Sequence, residues 1–487
     1  MSTSGSTQLL TFDPARVPTF QVAAKGLMTD TQLRKNVRHA TDVIQAKRRI
    51  VVDEMPDWQQ LRESGRQIKE HTLQHLDHYL AQFEANCTRA GGTVHWARDA
   101  AEARAIAISL VQQTGSHEVI KIKSMTTEEI GLNHALEAAG IHAFETDLAE
   151  LIIQLGHDLP SHIVVPALHK NRSQIREIFR REMNLPDLGE RPQDLAEAAR
   201  TFLREKFLRV QAGVSGANFL IAETGGVCVV ESEGNGRMCL TLPETLITIA
   251  GIEKVIPRYQ DLEVFLQLLP RSATGERMNP YNSIWTGVHP TDGPRAFHII
   301  LMDNARSGIL ADPESRQTLA CIRCGACQNA CPVYRQTGGH AYGSVYAGPI
   351  GAILTPQLQE LHSGTSLPYA SSLCGACYEV CPVKINIPEV LIHLRHKVVE
   401  QDTQGFGAFN PEALAMKLMA RIFASESRLR TAQRLGRIAE SPLVNKAGWV
   451  TWLPGFAGGW TQVRDLHAMP AQTFREWFEQ RGDRNGR

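Results

Sequence analysis

The sequence of 487 residues predicts an α/β domain, then a mainly helical cysteine-rich domain, then a helical C-terminal region. Three observations support this fold class. Strand-like apolar runs alternate with helical segments over residues 60–303, an order typical of a largely parallel sheet. Seven of the ten cysteines lie between Cys321 and Cys381, in a stretch without strand-like runs. Apolar residues beyond position 400 recur at helical spacing. The predicted boundaries are 1–59, 60–303, 304–400 and 401–487.

The N-terminal region is predicted to be an arm followed by helices. Residues 30–86 are rich in Lys, Arg, Gln, Glu and Leu at helical spacing, and Pro56 predicts a break in the helical pattern.

The α/β domain is predicted from its alternating segments. In the second predicted helix, TTEEIGLNHALEAAG, Thr126 and Glu129 have capping-box spacing and Gly140 is a stop signal. ANFLIAETGGVCVVESE is typical of a hairpin that turns at Gly225 and Gly226. The other predicted strands are GGTVHWA, EVIKIK, IHAFETD, HIVVPA, LITIAGIEKVI and AFHIILMD, and the first predicted helix is AEARAIAISLVQQTG.

Composition excludes several functions. Lys plus Arg and Asp plus Glu both number 51, so no net charge attracts nucleic acid or an anionic membrane. The N-terminus lacks the layout of a secretion signal, and no apolar stretch is long enough for a membrane span. We therefore expect a cytoplasmic protein, which could be held at the inner face of the membrane by partners.

Two segments carry the metal chemistry. CIRCGACQNACP, residues 321–332, and SSLCGACYEVCP, residues 371–382, align without a gap, with Ser371 in place of Cys321. The gaps of two, two and three residues followed by Pro are typical of iron–sulfur proteins in which the fourth cysteine ligates the other cluster. A pair of zinc sites is the alternative, since Cys-x2-Cys pairs also bind zinc.

The crossed pairing predicts two ligand sets. The first cysteine group is Cys321, Cys324, Cys327 and Cys381, and the second is Cys331, Cys374 and Cys377. We expect two [4Fe–4S] clusters, with [3Fe–4S] or a site-open cluster as the alternative at the second group.

The corner that the second group lacks has several candidate occupants. They are Ser371, one of the scattered cysteines, a ligand from a partner subunit, and water or substrate. We favour a three-cysteine site that is open or completed externally, because serine oxygen is a poor match to soft iron–sulfur chemistry. The scattered cysteines are expected to be buried thiols, two of them in strand-like contexts: Cys87, Cys228 and Cys239.

Other polar residues give weaker signals. His340, Tyr342 and Tyr346 lie in a Gly-rich linker between the two segments and are expected to pack beside the clusters rather than to catalyse. An anion site at a helix N-terminus is a possible role for Lys121, Lys123 and Ser124, although an ordinary loop is favoured. Pocket-lining candidates around the hairpin are Asn218, Glu223, Glu231, Gly234 and Gly236.

The linker and the segments upstream of it carry a family resemblance. CIRCGACQNACPVYRQTGGHAYGSVYAGPIGAILTP, SSLCGACYEVCPVKINIPE and GVSGANFLIAETGGVCVVESEGNGR resemble the lactate utilization protein B family. The resemblance implies a LUD-type domain of the sugar-isomerase or CoA-transferase kind. It also implies an iron–sulfur subunit that carries electrons from L-lactate oxidation, together with A-type and C-type partner proteins. The alternatives are that the α/β domain itself binds or oxidises the substrate, which could be another 2-hydroxy acid, or that the chain is a redox-sensing scaffold. No G-x-G-x-x-G or P-loop motif indicates a hydride-carrier or nucleotide site in this chain.

Overall fold

The structure is a computed structural model that describes residues 18–359, 361, 364–404, 411–462 and 464–484. The chain forms two compact units, of which the first ends at Val398 and the second begins at Val399.

Four helices open the first unit. Asp30 caps the second of them by accepting a hydrogen bond from the backbone N–H of Leu33 at 2.9 Å. Pro56 lies between the second and third helices, which confirms the predicted break. The helices are α1 Phe20–Leu27, α2 Thr31–Asp53, α3 Trp58–Gln74 and α4 Leu76–Arg89.

Ten strands follow and form two sheets. The main sheet has six strands in the order β1-β10-β7-β4-β2-β3, all paired in parallel, which confirms the predicted class. The second sheet has the order β8-β5-β6-β9, and its central pair is the predicted antiparallel hairpin. The strands are β1 Thr93–Ala97, β2 Glu118–Lys121, β3 His142–Glu145, β4 Ala212–Ser215, β5 Phe219–Ile221, β6 Gly226–Glu231, β7 Thr245–Gly251, β8 Val255–Ile256, β9 Tyr281–Trp285 and β10 Ala296–Met302.

Eight helices connect these strands, and one differs from its prediction. The predicted cap Thr126 is wrong: the side chain of Ser124 accepts from the N–H of Thr127, and the helix divides at Gly131, which has a φ of 61°. The helices are α5 Ala100–Gln113, α6 Met125–Glu129, α7 Leu132–Ala138, α8 Leu148–Leu155, α9 Arg172–Glu182, α10 Pro192–Arg209, α11 Asn235–Thr241 and α12 Leu262–Ala273.

The predicted strand HIVVPA is wrong. Residues 162–167 form a turn in which the ring Nδ1 of His162 accepts hydrogen bonds from the N–H groups of Val164 and Val165, both at 3.0 Å. Side chain–backbone bonds of this kind replace the ladder bonds that a strand would make.

The cysteine region is helical, as predicted, and contains no strand among its described residues. Its buried residues join one core with those of α2, α12 and the second sheet, including Val37, Phe265, Phe219 and Ile350. The helices are α13 Arg306–Ala311, α14 Ala326–Ala330, α15 Tyr334–Thr337, α16 Gly348–Leu358, α17 Ala376–Val380 and α18 Ile387–Asp402.

The second unit is mainly helical and contains one antiparallel strand pair. The helical spacing noted beyond position 400 corresponds to two consecutive helices, Pro411–Phe423 and Glu426–Glu440. No helix within the described ranges is both long and apolar enough to cross a membrane. The elements are α19 Pro411–Phe423, α20 Glu426–Glu440, β11 Trp449–Val450, α21 Gly458–Thr461, β12 Leu466–His467 and α22 Phe474–Arg484.

Candidate metal centre

The two cysteine segments fold in the same way. Each contains a five-residue helix, α14 or α17, that begins after a glycine in the left-handed region, Gly325 at φ 72° and Gly375 at φ 84°. These glycines let the chain turn sharply between the second and third cysteines of the first segment, and at the equivalent place in the second. The short helix then carries the last cysteine of each segment away from the others.

The fold brings the seven cysteines together as two sets. Cys321, Cys324, Cys327 and Cys381 line one small cavity. In the other set, burial raises the pKa of Cys377 to about 12, and the charges of Cys331 and Cys374 add to that effect. These sets have the membership of the first and second cysteine groups, and the assignment of individual ligands to clusters stays a prediction.

Five of these cysteines are buried, whereas Cys321 is half-buried and Cys374 is exposed. Burial raises the pKa of Cys324, Cys327, Cys331 and Cys381. A buried thiol with a raised pKa becomes a thiolate only when positive charge or a metal compensates for it.

Backbone N–H groups point at several of the sulfurs. The N–H groups of Arg323, Tyr334 and Ile385 lie 3.4, 3.5 and 3.3 Å from the Sγ atoms of Cys321, Cys331 and Cys381, respectively. Hydrogen bonds to cysteine sulfur stabilise the thiolate and tune the potential of a bound cluster.

Buried polar atoms without a hydrogen-bond partner indicate what kind of cofactor the cysteine sets can hold. Within the described residues, Tyr342 Oη and Asn329 Nδ2 are buried without a hydrogen-bond partner. Asn329 belongs to the first cysteine segment, and Tyr342 lies close enough to Cys331, Cys327 and Cys377 for their charges to raise its pKa further, after burial. Both atoms can donate a hydrogen bond. An iron–sulfur cluster offers sulfide acceptors, so the side chains present fit such a group.

Positive side chains surround the first cysteine group. Arg62 donates from Nε to the carbonyl of Cys381 at 2.9 Å and from Nη2 to that of Tyr378 at 3.2 Å. Burial lowers the pKa of Lys69 to about 7, while the charges of Glu253 and Cys321 oppose this shift. The cations that feel the charge of a cysteine in this group are Arg48, Arg62, Lys69, Lys254 and Arg323.

A buried ion network joins this region to the α/β domain. Arg306, which is 1% exposed, pairs with Glu129 at 2.8 Å and with Glu253. Glu253 also accepts from Nη2 of Arg323 at 3.3 Å, and Tyr346 donates its hydroxyl to Glu129 at 2.6 Å. The hydroxyl of Tyr346 is thus bonded to a glutamate of the α/β domain, and its packing beside a cluster stays a prediction. His340 is likewise bonded, through Nε2, to the carbonyl of Leu159 at 2.8 Å.

The anion site suggested around Lys121 is not formed by that residue. Lys121 is completely buried and forms ion pairs with Glu128 and Glu145 of the same domain. Lys123 pairs with Glu150 at 3.0 Å, and Ser124 caps α6.

Several predicted pocket residues nevertheless line one cavity of about 350 Å³ in the α/β domain. Lys123, Ser124, Asn218 and Glu231 line it. Glu223 lies elsewhere and accepts from the N–H of Tyr259 at 2.8 Å. Sequence reasoning missed three further lining residues, because residues far apart along the chain supply them: Asn235, Lys254 and Arg323.

The structure also shows where this chain's own candidates for the fourth ligand of the second cysteine group lie. Ser371 accepts a hydrogen bond from the N–H of Leu373 at 3.1 Å. Cys87, Cys228 and Cys239 are buried, as expected. The strand-like context is wrong for Cys239, which lies in α11, and Cys87 lies in α4; only Cys228 lies in a strand.

Fold and site together define a class, namely an α/β domain joined to an iron–sulfur domain. Residues 80–302 match the family described as LUD domain, residues 317–385 match 4Fe-4S dicluster domain, and residues 393–483 match Lactate utilisation protein B, C-terminal.

Two relatives extend the match to nearly the whole chain. Lactate utilization protein B of Bacillus licheniformis is 42% identical over 458 residues, which cover 93% of this chain and 95% of the relative. Lactate utilization protein B of Bacillus subtilis is 42% identical over 453 residues, which cover 92% and 93% of the two chains. The chain belongs to the lactate utilization protein B family, which confirms the resemblance stated from the sequence.

Proposed function

We propose that this protein is the iron–sulfur electron-transfer subunit of a cytoplasmic complex that oxidises L-lactate to pyruvate. The name of its relatives supports the lactate system. One observation carries the electron-transfer role: seven cysteines from two distant segments converge as two sets, surrounded by unpartnered hydrogen-bond donors.

The chain's own residues have defined tasks in this proposal. The first cysteine group holds one cluster and the second group holds the other, with the fourth corner of the second open or completed from outside. When bound, such clusters supply one-electron transfer. The core around Tyr342 and Ile350 excludes water, and the cations Arg48, Arg62 and Lys69 offset negative charge at the first group.

The partners are proposed to be the A-type and C-type proteins of the lactate system. The exposed side of Cys374, in the second cysteine group, gives a partner a route to that group. A subunit docked there would be placed to complete the missing corner and to exchange electrons with it.

Anaerobic purification followed by iron and sulfide analysis and electron paramagnetic resonance (EPR) tests the proposal. We expect two cluster signals in the wild type, loss of one in Cys324→Ala, loss of the other in Cys377→Ala, and no growth on lactate for either variant. Cys87→Ala is the matched control, because Cys87 is also buried but belongs to neither group. Zinc in place of iron, or normal growth of the Cys324→Ala strain, would contradict the relay.

A second candidate function is that the α/β domain itself binds or oxidises the substrate, which could also be another 2-hydroxy acid. The cavity that shares Arg323 with the cysteine region favours it. Lactate turnover by the isolated chain with an artificial electron acceptor would support this function over a pure relay.

A further inference from the structure

The 350 Å³ cavity lies where α/β proteins of this architecture bind ligands. Its wall contains residues at the carboxyl ends of three adjacent parallel strands: Ile122 directly after β2, Asp147 two residues after β3, and Gly216 directly after β4. Ligands of open α/β sheets bind outside the carboxyl ends of the strands. The volume is within the range of small-molecule sites.

The acidic residues of this wall are already engaged by backbone N–H groups. Asp147 accepts from Lys123 N–H at 2.7 Å, and Glu233 accepts from Leu148 N–H at 3.0 Å. Glu231 accepts from three N–H groups around the start of α11. These carboxylates therefore shape the wall rather than await a cation.

Two cations of the wall have capacity left. Arg323 is a side chain with only 7% exposure, and its Nη2 donates to Glu253. Burial alone would lower the pKa of Arg323, but the charges of Tyr346 and Cys321 raise it. By distance and angle, its Nε and Nη1 nevertheless have no hydrogen-bond partner in the described structure. Lys254 is 8% exposed and takes part in none of the ion pairs among the described residues. A buried guanidinium with free N–H groups beside a buried ammonium is a site for an anion, and a carboxylate matches the guanidinium fork.

One acceptor faces the same cavity. Asn235 donates from Nδ2 to Thr146 Oγ1 at 3.1 Å, and Thr146 in turn donates to the carbonyl of Lys121 at 2.8 Å. Thr146 Oγ1 also lies 3.3 Å from Cys239 Sγ, but the shorter contact to the carbonyl of Lys121 takes the Thr146 proton. Towards Asn235 the Thr146 oxygen therefore accepts, which fixes the orientation of the Asn235 amide. Asn235 Oδ1 is then left buried with no donor in the described structure. A ligand hydroxyl would supply one.

We propose that this cavity binds a small hydroxycarboxylate, with the carboxylate on Arg323 and Lys254 and the hydroxyl donating to Asn235 Oδ1. The class of ligand follows from the cavity, whereas the choice of L-lactate as the first probe rests on the proposed function. The site lies next to the first cysteine group, because Arg323 is two residues from Cys321 and directs its N–H to that sulfur.

Isothermal titration calorimetry of the anaerobic holoprotein tests the site with L-lactate and with propionate, which lacks only the hydroxyl. We expect one lactate to bind per chain. Propionate should bind at least about tenfold more weakly than lactate, since propionate leaves Asn235 Oδ1 without a donor. Equal affinities would overturn the hydroxyl contact. Absence of binding for lactate, glycolate and malate alike would overturn the site.

Two lysines provide a matched pair of variants. Lys254 lines the cavity, whereas Lys170, whose side chain is 20% exposed, pairs with Asp158 and does not line it. Lys254→Met should weaken lactate binding by about tenfold or more, and Lys170→Met by less than about threefold. Equal losses would mean that the variants act through general charge, and the site would be refuted. Iron content and circular dichroism establish that each variant is folded. If either variant is not folded, the comparison of lactate with propionate binding to the wild-type protein decides whether the site exists.

The test is independent of the electron relay. Binding is measured without turnover. If lactate binds but the clusters of the assembled complex are not reduced, the electron-transfer function is refuted and the binding site stands. If the clusters are reducible but no hydroxycarboxylate binds, the binding site is refuted and the electron-transfer function stands.

Discussion

Replacing Glu253 by glutamine tests whether the buried ion network stabilises the fold. Burial alone would raise the pKa of Glu253, but the charges of Arg306 and Arg323 outweigh it and lower the pKa from 4.5 to about 2. Since a tenfold change in proton affinity is worth about 1.4 kcal/mol, this fall corresponds to about 3 kcal/mol. Glutamine keeps the shape and removes the charge, so Glu253→Gln should lose about that amount at pH 7.

The sign of the pH dependence follows from the lowered pKa. The folded protein binds the Glu253 proton more weakly than the unfolded chain, so the contribution is complete above about pH 4.5 and is lost as the pH falls towards 2. The difference between wild type and Glu253→Gln should therefore be constant from pH 6 to 8. Urea denaturation under anaerobic conditions, followed by circular dichroism, measures it.

Glu63 is the control that isolates burial. The hydrogen bonds from Arg66 and Lys384 also lower its pKa to about 2, but its side chain is 34% exposed. Solvent screens such pairs, so Glu63→Gln should leave the denaturation midpoint nearly unchanged. If both variants lost the same stability, or if Glu253→Gln lost none, the assignment of this energy to buried charge would be wrong.

Four further results are expected. Ser371→Ala should keep both cluster signals in EPR, because Ser371 already accepts from Leu373 N–H; loss of the second signal would identify serine as a ligand. Tyr342→Phe should lower a cluster midpoint potential by roughly 20–60 mV in redox titration, since it removes one buried donor. Arg62→Gln should lower the potential of the first cluster more than that of the second. Gly339→Ala should lower the melting temperature, because its Cβ would lie 1.9 Å from Ser161 O, whereas Gly26→Ala, with nothing within 4 Å, should not.

The sequence predicted the elements that have a strong local signal. β2, β3, β7 and β10 are apolar runs largely buried in a parallel sheet, and such runs are readable without tertiary information. β4 was not predicted as a strand, because its sequence AGVS is short and contains glycine and serine. HIVVPA has the composition of a strand, but the ring of His162 binds the following N–H groups, and composition does not reveal that bond.

In the candidate site, too, residues that are close along the chain could be predicted, and residues brought together by folding could not. Cysteine spacing predicted the metal ligands because a cluster constrains residues that are close along the chain. The pairing of Arg306 with Glu129 joins residues 177 positions apart, and Lys254 meets Arg323 only through folding of the second sheet against the cysteine region. A charged residue in sequence gives no sign of being buried, so the cavity wall could be found only from the structure.

The electrostatic surroundings of the two cysteine groups differ, and the N-terminal helices and the α/β domain together cause the difference. Arg48 comes from α2, Arg62 and Lys69 from α3, and Lys254 from the segment before β8, and all feel the charge of the first group. The shifts at Cys331 and Cys377 come instead from burial, neighbouring cysteines and backbone N–H groups. Positive charge favours the reduced form of a cluster, so the first group should hold the cluster of higher potential.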